Sequence, residues 1–169
     1  GAGKTTAIAQ LSGDDCVSTD VVNTDLEQCN KEMTTAGLDY GYISLADGYG
    51  VRLYGTPGQE RFRFMWPILA NNAAGVILLL NGEHPDLNDH LGIYADAFAN
   101  GGETPLVVGI GRLPANDFGR VDQVTEQLAA MGLFVPVISV DVREKDDVLL
   151  LVETLLCQIE AHEMELMEI

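Results

Sequence analysis

The sequence predicts an α/β domain, doubly wound, with a mostly parallel sheet that carries one antiparallel edge strand. Three observations predict it. Short runs of β-branched and aliphatic residues alternate with longer segments of helical period, the pattern of crossover units with helices on both faces of a sheet. The chain opens on a Gly-rich turn that passes at once into a helical segment. Two of the strand-like runs are separated only by Ala46-Asp47-Gly48, which is too short for a crossover and fits a hairpin. With 169 residues and roughly 100 to 200 residues per domain, a single domain spanning 1–169 is expected.

The elements are predicted in this order. A helix runs from Lys4 to Leu11. The strands Tyr40 to Leu45 and Val51 to Tyr54 form the hairpin, followed by a helix from Glu60 to Ala70. The runs Gly75 to Asn81, Leu106 to Ile110 and Phe134 to Val140 are rich in Val, Ile and Leu and read as buried parallel strands. Between and after them come helices Leu87 to Ala99, Phe118 to Met131 and Asp146 to Glu163. In the last, Val148, Leu149, Val152, Leu155, Leu156 and Ile159 recur every three or four residues and make one apolar face. The stretch from Ser12 to Leu38 is acidic and holds no sustained period. Loops beyond about 12 to 15 residues are usually functional or mobile; the bland alternative to a functional loop here is a floppy insertion containing a short helix near Leu26 to Cys29.

Composition narrows the function. Hydrophobic residues make up 47% and charged residues 21%, near the soluble globular average of about 45 to 50% and 25%. Nine Lys and Arg against 26 Asp and Glu give a net charge of −17. Binding to a nucleic-acid backbone needs a basic footprint, so no nucleic-acid partner is expected. An acidic surface also repels anionic membranes, and the longest apolar runs, such as Gly75 to Leu80, fall far short of the roughly 20 residues that span a bilayer. No leader segment is recognised. Cys16, Cys29 and Cys157 are too few and scattered for a disulfide framework or a zinc site. A cytoplasmic location is the simplest expectation.

Gly1-Ala2-Gly3-Lys4-Thr5-Thr6, set before a helix, matches the second half of a phosphate-binding loop, G-x-x-x-x-G-K-[ST]. Glycines let backbone N–H groups turn inward around phosphates. Lys4 can reach the β and γ phosphates, and the Thr5 hydroxyl can ligate Mg²⁺. The helix N-terminus adds partial positive charge. The motif's first Gly, and the strand that feeds the loop, would fall upstream of residue 1.

A second segment, Val51-Arg-Leu-Tyr-Gly-Thr-Pro-Gly58-Gln59-Glu60-Arg61-Phe62, resembles the third strand and switch II of small Ras- and Rab-like GTPases, W-D-T-A-G-Q-E-R-F. Upstream, Thr35-Ala-Gly-Leu-Asp-Tyr40 resembles their switch I, T-I-G-V-D-F. The Thr-Pro-Gly-Gln form is similar to that of bacterial small GTPases of the gliding-motility kind. The resemblance extends over the whole chain and implies a P-loop NTPase fold and a GTP/GDP- and Mg²⁺-dependent switch. It implies Gly1, Ala2, Gly3, Lys4, Thr5 and Thr6 around the phosphates, Thr5 and Thr35 on the metal (with Thr34 as a substitute for Thr35), and Gly58 N–H on the γ-phosphate. Gln59 would orient the attacking water as the catalytic residue. It also implies a roadblock-type regulatory partner.

The departures are as informative. The Walker B Asp position holds Gly55, with Asp39 or an acidic residue of the long loop as stand-ins. At the base-recognition element N-K-x-D stands Gly111-Arg112-Leu113-Pro114, with Asp117 three residues late. Asp141-Val142-Arg143 replaces S-A-K, where Val142 retains a backbone N–H for the base. Guanine selectivity is therefore not secured. Trp66, Phe62, Phe64 and Met65 read equally as core or as a partner face. Arg61 and Arg63 read as solvated helix residues more readily than as an internal arginine finger. Two function classes remain: a switch GTPase with slow, regulator-stimulated hydrolysis, and a degenerate GTPase-fold scaffold with weak or non-selective nucleotide binding. An ATP-using P-loop kinase would need a lid and an acceptor pocket that the sequence does not display.

Overall fold

Leu106 to Gly111 is buried at every position, as its unbroken apolar character demands, and it forms the middle strand of a parallel three-stranded sheet. The computed structural model describes residues 1–13, 20–22, 33–35, 38–44, 48–99, 103–114 and 117–167. In chain order the elements are α1 (Lys4–Ser12), β1 (Asp20–Val22), β2 (Met33–Thr35), β3 (Asp39–Ser44), β4 (Gly50–Gly55), a 3₁₀ helix (Glu60–Met65), α2 (Trp66–Ala70), β5 (Val76–Asn81), α3 (Leu87–Phe98), β6 (Leu106–Gly111), α4 (Phe118–Ala130), β7 (Val137–Ser139) and α5 (Lys145–Met167).

The parallel sheet has the order β5-β6-β7, with Val76 opposite Leu106 and Val108 opposite Val137. One face packs Leu78, Leu80, Val108 and Ile110 against Leu87 and Leu91 of α3 and Val124 and Leu128 of α4. The other packs Val107 and Val140 against Leu151 of α5. Helices thus cover both faces, as the alternation of strands and helices predicts. β3 and β4 form a separate antiparallel hairpin with Asp39 opposite Gly55 and Ser44 opposite Gly50. Helix α1 lies on this hairpin and also touches α5. Its close approach needs small residues: a Cβ at Gly55 would stand 2.8 Å from Ile8 Cδ1.

The structure departs from the expected elements at five places. The sheet is not continuous: among the described residues no strand joins β4 to β5, so the hairpin and the parallel sheet each keep an edge without a ladder partner. The strand expected over Phe134 to Val140 is only Val137–Ser139, because Pro136 has no N–H to donate to a ladder; its carbonyl instead accepts from Val108 N–H at 2.9 Å, and Phe134 is left 85% exposed. The helix expected over Glu60 to Ala70 is 3₁₀ as far as Met65 and α-helical only from Trp66. Pro67 cannot give the N–H that an α-helical bond to Arg63 requires, and Trp66 N–H bonds to Arg63 O in 3₁₀ fashion instead. Within Ser12 to Leu38, β1 and β2 pair antiparallel, Asp20 opposite Thr35, where only a loop was expected; three-residue strands are too short to display a period. The short helix expected near Leu26 to Cys29 lies outside the described residues. Helix α5 runs four residues beyond Glu163, to Met167. Among the described residues no helix is long and apolar enough to cross a membrane.

Candidate functional site

The start of α1, the end of β4 and the loops after β6 and β7 converge at one end of the sheets. Gly3 caps α1 with φ 91°, in the left-handed region, and no side chain caps the helix. That backbone favours glycine. Space demands it as well, since a Cβ there would stand 2.7 Å from Val142 Cγ2. The first-turn N–H groups of a helix have no intrahelical acceptors, so this turn presents donors and a partial positive charge.

Lys4 follows, half-buried, and reaches across to the segment after β4: its Nζ lies 3.0 Å from where a Cβ of Gly58 would be. Thr5 points to β3, and its Oγ1 donates to Asp39 Oδ2 at 2.6 Å. Asp39 is 1% exposed. It sits opposite Gly55 in the hairpin register, and a Cβ at Gly55 would come within 3.1 Å of Asp39 Cβ. Gly55 and the buried Asp39 are therefore complementary: the glycine leaves space beside the Asp39 side chain of the neighbouring strand.

Beyond Gly55 the chain is pinned from two helices. Pro57 is fully buried. Its carbonyl accepts Trp66 Nε1–H at 3.0 Å, and the Gly58 carbonyl accepts Tyr94 O–H at 3.0 Å. Gln59, half-buried, precedes the 3₁₀ helix in extended conformation, φ −78° and ψ 140°. Trp66 is 0% exposed and belongs to the core, whereas Phe64 of the same segment is 69% exposed; the aromatic group that the sequence left undivided splits between the two roles. Arg61 and Arg63 are exposed.

The structure thus brings Gly3, Lys4, Thr5, Gly58 and Val142 together, with Gln59 next to Gly58. Gly1 and Thr6 are exposed and Ala2 is half-buried at the rim. Thr34 and Thr35 belong to β2, opposite Val21 and Asp20. Sequence reasoning named Asp39 only as a stand-in and missed Tyr94 altogether; an isolated Tyr inside a helical period gives no signal of a bond 36 residues away.

The loops after β6 and β7 lie side by side, since Val140 N–H donates to Ile110 O at 3.0 Å. Arg112 is the one non-Gly residue with positive φ, 60°, among the described residues, a backbone conformation uncommon outside glycine. Asp117 caps α4 and gives its N–H to Pro114 O at 3.1 Å. In the second loop Arg143 Nε donates to Asp141 Oδ1 at 2.9 Å and Arg143 N–H to the same oxygen at 3.0 Å. The side-chain bond from Arg143, and then its backbone N–H, hold the Asp141 carboxyl down from the usual 3.8 to about 2. A pKa that folding lowers adds stability above the ordinary value, and that stability is lost as pH falls through the folded value. The Asp141 contribution is therefore complete above pH 4 and disappears toward pH 2; at an exposed pair it is small. Arg143→Gln is expected to return the Asp141 carboxyl toward 3.8 in a carboxyl-detected NMR titration. An unmoved titration would mean that the pair does not form in solution.

Compared with known proteins, the chain matches no family model and no curated protein.

Proposed function

We propose that the chain is a small cytoplasmic GTP-binding switch of bacterial type with a P-loop NTPase fold, which hydrolyses GTP slowly until a regulatory protein stimulates it. The observation that carries the proposal is the part-buried Thr5–Asp39 hydrogen bond beside Lys4 and Gly58. A helix N-terminus, a lysine, a hydroxyl and a carboxyl converging on one spot form a set of groups suited to a metal-bound polyphosphate.

The donor set fits Mg²⁺, a hard cation that takes oxygen ligands and retains several waters. Thr5 would hold it directly, Asp39 would orient Thr5, and Thr35 would close over it. Bound there, Mg²⁺ would neutralise phosphate charge and favour transfer of the terminal phosphoryl group. Lys4 would bind the outer phosphates through charge-assisted hydrogen bonds. Gly58 N–H would reach the γ-phosphate and Gln59 would hold the attacking water in line. Val142 would stand with its backbone N–H toward the base. The resemblance implies a roadblock-type regulatory protein as the stimulating partner, and the net charge of −17 argues against nucleic acid or an anionic membrane.

A second reading, a GTPase-fold scaffold, is favoured by the base loops. Pro114 offers neither a carboxylate nor an N–H, and the Asp141 carboxyl is occupied by Arg143. One titration tests both readings, run on protein with the whole phosphate-loop motif and with GTP and ATP in competition against a labelled analogue in Mg²⁺. A site built to hydrogen-bond guanine rejects analogues by about 10⁴ or more. Here the two triphosphates are expected to bind within about 100-fold of one another, because affinity comes from phosphates and Mg²⁺. Binding of neither supports the scaffold. A GTP preference above about 10⁴ means that a carboxylate such as Asp117 enters the base site.

A further inference from the structure

The segment Pro57-Gly58-Gln59 is held from its carbonyl side. Trp66 Nε1–H donates to Pro57 O at 3.0 Å in a buried bond, and Tyr94 O–H donates to Gly58 O at 3.0 Å. In a planar trans peptide the C=O and the following N–H point in opposite directions. Holding Pro57 C=O therefore sets the direction of Gly58 N–H, and holding Gly58 C=O sets that of Gln59 N–H. Both N–H groups are turned away from α2 and α3, which supply the two donors. Successive N–H groups on one side of the backbone form a concavity suited to an anion, and Lys4 Nζ lies against the same glycine.

The two donors are themselves held. The Trp66 ring is 0% exposed; it stacks on Phe98 at 5.6 Å between centroids and meets Tyr94 at 5.1 Å. Locking of this kind gives a polar group a fixed aim with no reorganisation when charge arrives. A ring that only filled the core would need neither bond. Phe in place of Tyr94 would pack as well, with no hydroxyl to satisfy.

We infer that Trp66 and Tyr94 are positioning residues of the phosphate site: acting through the Pro57 and Gly58 carbonyls, they aim the Gly58 and Gln59 N–H groups at a terminal phosphate and so make the site read triphosphate against diphosphate. The inference rests on the proposed nucleotide-binding role. It adds the requirement that discrimination between the two nucleotides is set from behind the loop, by α2 and α3, and not only by groups that touch phosphate.

The test uses protein with the whole phosphate-loop motif and two probes, Mg²⁺·GDP and Mg²⁺ with the non-hydrolysable analogue GMPPNP, measured by calorimetry. Tyr94→Phe retains the ring against Trp66 and removes one hydrogen bond. GDP affinity is expected to stay unchanged while GMPPNP affinity falls about three- to tenfold, the worth of one neutral hydrogen bond. Trp66 is the sole tryptophan, so its emission is a direct reporter. Exchange of GDP for GMPPNP should shift that emission in the wild type and shift it less in Tyr94→Phe. Trp66→Phe, checked for folding by circular dichroism, should lose the same discrimination. Equal weakening of both nucleotides, or no change in either, would overturn the inference and leave nucleotide binding standing. Failure of the wild type to bind either probe would instead overturn the nucleotide reading itself.

Discussion

Lys4→Ala is expected to lose triphosphate binding while leaving the fold in place. Lys4 is the side-chain cation that the structure sets against Gly58 at the start of α1. Truncating one partner of a hydrogen-bonded charge pair costs about 2 to 5 kcal/mol, which converts to a loss of about 30-fold to several thousand-fold in affinity. Stability should hardly move, because alanine is the best helix former and the lysine carries none of the buried apolar core. Calorimetric titration with Mg²⁺·GTP, alongside a thermal melt, separates the two effects. Wild-type affinity in the variant would remove phosphate binding from this end of the sheets. A collapse of the melt would show that Lys4 is a structural residue.

Exchange of the acid across the hairpin should give a strongly non-additive result. Asp39→Gly removes the acceptor of the Thr5 hydroxyl, and leaving a part-buried donor without its partner costs about 1 to 3 kcal/mol. The Mg²⁺ dependence of nucleotide binding should fall with it. Gly55→Asp alone forces a second carboxyl into the same space. Its Cβ would stand 3.1 Å from Asp39 Cβ and 2.8 Å from Ile8 Cδ1, and overpacking of this kind costs about 1 to 3 kcal/mol. In the double variant Asp39→Gly/Gly55→Asp the crowding at Asp39 is gone. The remaining contact is with Ile8 Cδ1, the end of a side chain that can rotate. A carboxyl again stands beside Thr5, so the double variant should recover much of the Mg²⁺-dependent binding that each single variant loses. Coupling of residues in contact is about 0.5 to 3 kcal/mol, within reach of melts and titrations on all four proteins. Simple addition of the two losses would show that Asp39 and Gly55 do not share a role.

The parts of this protein legible in its sequence are the ones encoded locally. Gly3 before a helical period announces a glycine turn leading into α1, because the turn and the helix start lie within a few residues of one another. The unbroken run from Leu106 and the three-and-four spacing in α5 announce a covered strand and an amphipathic helix, because each pattern repeats within the element that it predicts. The ends of elements were less legible where proline intervened. Pro136 shortens β7 and Pro67 divides the segment after Gln59, in each case by withholding one N–H.

What the tertiary structure decided is which carboxyl meets Thr5 and which side chains hold the segment after β4. From sequence, Gly55 was an absence and Asp39 one of several substitutes. Only the register that puts Asp39 opposite Gly55, together with the seating of α1 against the glycine side of the hairpin, brings the carboxyl to Thr5 across 34 residues. The pairing of β1 with β2 and the bonds from Trp66 and Tyr94 to the loop are of the same kind. None has a period or a spacing, since each depends on which surfaces meet once the helices have covered the sheets. Local geometry specifies which groups the chain can offer; packing between distant segments determines which of them face one another.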